Sequence, residues 1–181
     1  MADGTEFNRA KFEQIVLYIA TRLPPEAALG RVKLAKLLMH SDFTAYVRLG
    51  RSITGATYQK WEHGHLASEQ VEVEKDLEAA GLISIEDTNY YGKKLRHVTA
   101  HKEPDLSDFS EDELAIIEGA LKLYGHESAT YLSQLSHEEL GWRLSDWKEE
   151  IPYRTIFLSK TGPTEEDVRR GEELASLHGW N

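Results

Sequence analysis

A mainly helical α+β domain is expected for this 181-residue sequence on three observations. Apolar residues recur three and four apart over several long stretches, the spacing of one helical face. Ser-with-acid patterns stand where helices would open. Two short β-prone runs flank a segment of turn-forming residues. The expected architecture is a compact helical domain with one small β-hairpin or ribbon, placed after the third helix as in a winged helix.

The first helix is read over residues 9–23, where Phe12, Ile15, Val16 and Ile19 share a face and Pro24-Pro25 ends the run. A second helix over 32–49 is apolar on more than one face, through Leu34, Leu37, Leu38, Phe43, Ala45 and Val47, which predicts a central, well-covered element. Gly50 closes it, and residues 52–61 read as a short turn and strand built around Gly55. Ser68 is the expected N-cap of a third helix reaching Ala80, with Val73 and Leu77 inward and Gly81 as its stop. Residues 82–85 and 95–99 pair as a hairpin around a loop at 87–92.

Ser110-Glu111-Asp112-Glu113 is a capping box for a helix ending near Tyr124-Gly125. Residues 128–135 form a short helix, Ser136-His137-Glu138-Glu139 reads as a second capping box, and Thr164 with the acids after it opens a last helix. The domain is assigned to residues 1–152. A C-terminal loop and helix, 153–181, is expected to pack on it.

Composition excludes several chemistries. The chain has no cysteine, which removes disulfides, thiol catalysis and cysteine-ligated zinc. No apolar run approaches the roughly 20 residues of a membrane-spanning helix. The start, Met1-Ala2-Asp3-Gly4-Thr5-Glu6, lacks the basic and apolar stretches of a signal peptide, so a cytoplasmic location is expected. The net charge of −10 is uneven: residues 1–101 carry 13 Lys/Arg against 13 Asp/Glu, and residues 102–181 carry 8 against 18. An acidic half repels phosphate backbones and speeds capture of a basic partner.

No catalytic, metal or cofactor constellation emerges. His137-Glu138-Glu139 starts like a zinc-protease motif, but Gly141 stands where the second histidine is needed. His63 with His65, and His97 with His101, lack a convincing carboxylate pair beside them. Glu149-Glu150 and Glu165-Glu166-Asp167 are sequence neighbours, which do not converge on one point of a helix. Neither a Walker pattern nor Gly-x-Gly-x-x-Gly occurs, and Ser136 beside His137 is no hydrolase signature. Aromatic residues are the better lead, because rigid rings dominate interface hot spots. The candidate partner-binding residues are Tyr58, Trp61, His63, Tyr90, Tyr91 and Arg143, with Tyr90-Tyr91 at the expected hairpin tip. Trp61 and Trp142 fit a core position as well as a contact.

Three segments occur in a telling order: Val32-Lys33-Leu34-Ala35-Lys36-Leu37-Leu38, then Trp61-Glu62-His63-Gly64 after a short strand, then Leu135-Ser136-His137-Glu138-Glu139-Leu140-Gly141-Trp142-Arg143. With the Ser110/Glu113 cap between them, they resemble the Panacea domain, the SocA-like antitoxin domain of bacterial and phage toxin–antitoxin pairs. The resemblance covers residues 12–152. It makes Leu34, Leu37, Leu38, Gly64, Ser110, Glu113, His137, Glu138 and Trp142 structural motif positions. The sequence departs from the family pattern at Met39-His40, where an aromatic is usual, and at Gly64-His65-Leu66, where Gly-Pro-Val is usual.

The resemblance implies a non-catalytic antitoxin, without cofactor, that silences a cognate toxin protein by direct binding. Some relatives hand the toxin to a protease, which makes a protease chaperone subunit a further implied partner. Two rival readings stand beside this one. A winged-helix-like DNA-binding regulator would use Lys93, Lys94 and Arg96 as its wing and Lys33 and Lys36 as its basic helix, against the overall acidity. A phage or prophage accessory interaction protein is the other.

Overall fold

The computed structural model describes residues 6–90, 92–158 and 164–178. Helix α1, Arg9–Arg22, is opened by the Asn8 side chain, which accepts the Lys11 N–H at 3.0 Å, and buries Phe12, Ile15, Val16 and Ile19. Helix α2, Arg31–Leu49, is the centre of the molecule: Leu34, Leu37, Leu38 and Met39 are all at most 1% exposed. Gly50 ends it in the left-handed conformation, the usual stop where a side chain would be strained.

The residues after α2 hold a surprise. Strand β1, Tyr58–Trp61, turns back at once into β2, Gly64–Ala67, with Trp61 opposite Gly64. This second hairpin was not expected; its four-residue strands are too short to show a period. Residues 148–151 extend it, since the Lys60 N–H donates to the Glu149 carbonyl and the Ile151 N–H to the Tyr58 carbonyl.

Helix α3 runs Gln70–Ala79, and Ser68 is not its cap. The Ser68 N–H instead donates to the Thr57 carbonyl, prolonging the hairpin contact. The long hairpin follows, β3 Ile83–Tyr90 and β4 Lys93–Ala100, in register from Ile83 opposite Ala100 to Tyr90 opposite Lys93. The expected loop at 87–92 is therefore largely strand. Asp87 and Asn89 disfavour strands individually but follow the ladder once it is nucleated. The Val98 N–H also donates to the Leu29 carbonyl, tying β4 to the entrance of α2.

Helix α4, Glu111–Tyr124, has the reciprocal capping box of Ser110 and Glu113. Helix α5, Ala129–Glu138, starts at Ser128, whose side chain accepts the Tyr131 N–H at 3.1 Å. It does not stop at Leu135. Ser136 lies inside it, so the expected second capping box is absent; the break comes at Glu139, before the short α6, Leu140–Leu144. A 3-10 turn, Tyr153–Phe157, brings Tyr153 into the core, where its ring lies 4.8 Å from Phe43 and its hydroxyl donates to the Ala56 carbonyl. Helix α7, Glu165–His178, closes the chain, and of its described side chains only Ala175 is half-buried. Helices α1, α4 and α5, strand β2 and the 3-10 turn all pack on α2.

Asp42 fixes the segment from α2 to β1. Its buried carboxylate accepts from the Ile53 and Thr54 N–H groups at 2.9 Å, the Thr54 hydroxyl at 2.5 Å and the Tyr58 hydroxyl at 2.9 Å. Burial pushes this carboxyl up and the four hydrogen bonds pull it back. Tyr58 is thereby a core residue, 1% exposed, and cannot belong to a contact surface. Alternation within a four-residue strand gives no warning of this.

Candidate partner-binding face

The three motif segments read from the sequence meet around the short hairpin. The tip residue His63 is exposed and Trp61 is half-buried. Trp142, on α6, donates its indole N–H to the Trp61 carbonyl at 3.1 Å, and the His137 ring stacks on it at 4.1 Å between centroids. Trp147 stands edge-on to Trp61 at 5.6 Å. Two cations complete the layer: Lys60 lies 4.5 Å over Trp142 and Lys148 lies 4.9 Å over Trp61, arrangements in which the ring quadrupole attracts the charge.

Much of this face is open. Trp147 is 56% exposed and Leu144 is 73% exposed, with exposed Arg143 and Glu138 beside them in sequence. Lys148 adopts φ 64°, a conformation that costs a non-glycine residue about 1 kcal/mol. Its N–H donates to the Lys60 carbonyl, so the hairpin holds that strain in place. An exposed apolar residue on a rigid, aromatic-backed frame has the form of an interface anchor.

A polar centre is buried beneath. Gly64 has φ 101°, and a Cβ there would collide with the Ser136 hydroxyl and come within 2.7 Å of Lys36 Nζ. With no side chain at 64, Lys36 donates to the His65 carbonyl at 2.6 Å. The Ser136 hydroxyl accepts the His65 N–H at 3.2 Å and pairs with His65 Nδ1 at 2.8 Å. His65 Nε2 faces the Glu139 carboxylate at 3.6 Å. Lys36, His65 and Ser136 are all at most 1% exposed. Burial lowers Lys36 to about 7, and lowers His40 to about 4 and His65 to about 3, with the Lys36 charge adding to both. Burial raises Glu139 to about 7, against the pull of Lys36.

This centre gives the motif a structural role. Lys36, Gly64 and Ser136 come from α2, the hairpin and α5, and their hydrogen bonds lock those elements together. Among the described residues, no group of three or more His, Asp and Glu could hold a metal ion. The motif positions Leu34, Leu37 and Leu38 are core, and Glu113 joins its capping role to ion pairs with Lys11 at 2.7 Å and Arg51 at 2.9 Å.

Of the expected contact residues, Trp61, His63 and Arg143 therefore belong to one region and Tyr58 does not. Tyr90 closes β3 opposite Lys93; its side chain, and the whole of Tyr91, lie outside the described residues. Sequence reasoning missed Leu144, Lys60 and Lys148 as parts of the face.

The fold is that of a mainly helical α+β domain with an exposed aromatic edge beside its short hairpin. Residues 34–143 match the family described as Antitoxin SocA-like, Panacea domain, and the chain belongs to that family. No curated protein and no solved structure matches it.

Proposed function

We propose that this protein is an antitoxin that neutralises a cognate protein toxin by direct, non-catalytic contact, in the cytoplasm of a bacterium or under phage control. The observation that carries the reading is the exposed Leu144–Trp147 edge, which follows directly on the residues that match an antitoxin family and rests through Trp147 on Trp61 within them. The 18 carboxylates of residues 102–181, against 8 cations, favour a basic toxin surface. Delivery of the bound toxin to a protease chaperone is the second step that the same contact permits. No helix of the described residues is long and apolar enough to cross a membrane.

The winged-helix reading loses its basic helix: Lys33 is 2% and Lys36 is 1% exposed, so α2 presents neither to a DNA groove. The test is co-expression with the protein encoded beside it, scored by growth and by copurification. Rescue of a toxic neighbour with a stable complex is the expected result, and both are expected to be lost in Trp147→Ala combined with Leu144→Asp. A neighbour that is harmless and unbound overturns the antitoxin reading. A complex indifferent to the double variant moves the contact to another face.

A further inference from the structure

Helix α7 and the 3-10 turn before it expose apolar surface that the described residues leave uncovered. On α7, Val168 and Leu174 are 47% and 43% exposed, and with Gly171 and Ala175 they recur three and four apart, so one stripe of the helix is apolar. A helix of 14 residues without packing is marginal in water, because most helical stability comes from the buried face. Its ion pairs of Arg169 with Glu166 at 3.9 Å and with Glu173 at 4.0 Å are exposed and add little.

A matching surface lies along the second half of α2. Val47 is 48%, Phe157 63% and Leu158 49% exposed. The Phe157 ring lies 6.0 Å from Tyr46, which stacks on the core residue Tyr153 at 5.6 Å, so the patch is seated on a fixed base. Beside it opens a cleft of about 150 Å³ whose lining includes Met39, Phe43, Val47 and Ile156 with Arg48 and Glu139. An apolar cavity of about that size admits a benzene ring, so the cleft has room for one aliphatic side chain.

Charge fits the two surfaces to each other. Residues 165–178 carry five Asp/Glu against two Arg. Arg48, exposed at the cleft, has no ion-pair partner among the described residues, and Arg154 is exposed in the turn that holds Phe157. Glu139, the carboxylate of the lining, faces inward to His65 at 3.6 Å. Because helix stripe and patch are open at once, a second copy is the occupant that needs no change within the chain; closure within one chain would require α7 to move. A surface and its complement on one chain satisfy each other twice across a two-fold axis.

We propose that two copies of this chain pair through these surfaces, the α7 helix of each lying across the patch of Val47 and Phe157 on the other, with Leu174 in the cleft and the α7 carboxylates facing Arg48. The dimer is independent of the toxin reading, and its readout is mass. The purified full-length protein would be followed by analytical ultracentrifugation across micromolar concentrations. Leu174→Asp and Val47→Asp are the variants, both at exposed positions where a carboxylate costs the folded chain little. Leu123→Asp, at a position 67% exposed on α4, is the control.

The expected result is a concentration-dependent rise from 20.6 kDa to twice that mass. Leu174→Asp and Val47→Asp should each weaken it about a hundredfold or more, and Leu123→Asp should not, since each variant buries an unpaired carboxylate in both contacts of the dimer. Mixing the two variants is the sharper test. Either variant alone has no intact contact, whereas the mixed pair keeps one, unaltered α7 on unaltered patch, and should dimerise more tightly than either alone. A monomer at all concentrations overturns the proposal. So does a dimer that survives either variant, one lost equally in the control, or a mixture no tighter than the variants alone.

Discussion

Asp42 and Lys36 are both buried charged residues on α2, six positions apart, yet they are held in opposite ways. Asp42 receives four hydrogen bonds from one short segment. Lys36 has one, to a backbone carbonyl, and its neighbours His40 and His65 each leave a ring nitrogen unpartnered among the described residues. A carboxylate whose acceptors are filled is a structural node whose removal strands several donors. An under-satisfied ammonium is close to its own neutralisation. The first is held mainly by its hydrogen-bond geometry, while the second is held loosely enough for its own titration to shape the pH profile near neutrality.

The largest effect is expected at the saturated node. Asp42→Ala strands the Thr54 and Tyr58 hydroxyls and two backbone N–H groups in the core and should cost about 3–5 kcal/mol, measured by urea unfolding. A loss under 1 kcal/mol would remove the contrast. Gly64→Ala comes next. Its Cβ collides with Ser136 and adds strain at φ 101°, for about 2–4 kcal/mol by the same measurement.

Lys36→Met should change stability by about 1 kcal/mol near pH 7, in favour of the fold. Its signature is the pH profile. The folded-state pKa of Lys36 is about 7 against an unfolded value of 10.5, so above 7 the unfolded chain binds more protons and stability rises up to about 10.5. Glu139, raised to about 7, contributes stability present below its unfolded value of 4.5 and lost as pH rises to 7. His40 and His65, lowered to about 4 and 3, add stability as pH rises toward 6.5. Urea unfolding at pH 7 and pH 9.5 should show a gain in the native protein that Lys36→Met abolishes; an equal gain in both would assign it to other groups. The smallest stability effect belongs to the face above: Trp147→Ala should leave stability within about 0.5 kcal/mol while weakening toxin binding more than tenfold.

The helical frame was legible from residues alone. Phe12, Ile15, Val16 and Ile19, or Ser110 with Glu113, state a helix through spacing and capping that act within a turn or two. The region between α2 and α3 was not, because its order comes from outside it. Ser52 to Tyr58 takes its shape from Asp42, and the hairpin from residues 148–151. Ser136 illustrates the limit well. It carries the local pattern of an N-cap, yet it lies in the last turn of α5, bonded to a partner 71 positions away, His65.

From its own sequence the chain settles where α1, α2 and α4 run, that α2 is covered over most of its length, that cysteine chemistry is absent, and that its second half is acidic. These are properties of composition and of interactions within a few residues. Tertiary structure alone placed Lys36, Gly64 and Ser136 in one buried centre, and sank Tyr58 into the core while leaving Trp147 outside. Burial and long-range hydrogen bonds depend on which surfaces the packed helices leave open, and nothing in a local pattern specifies that.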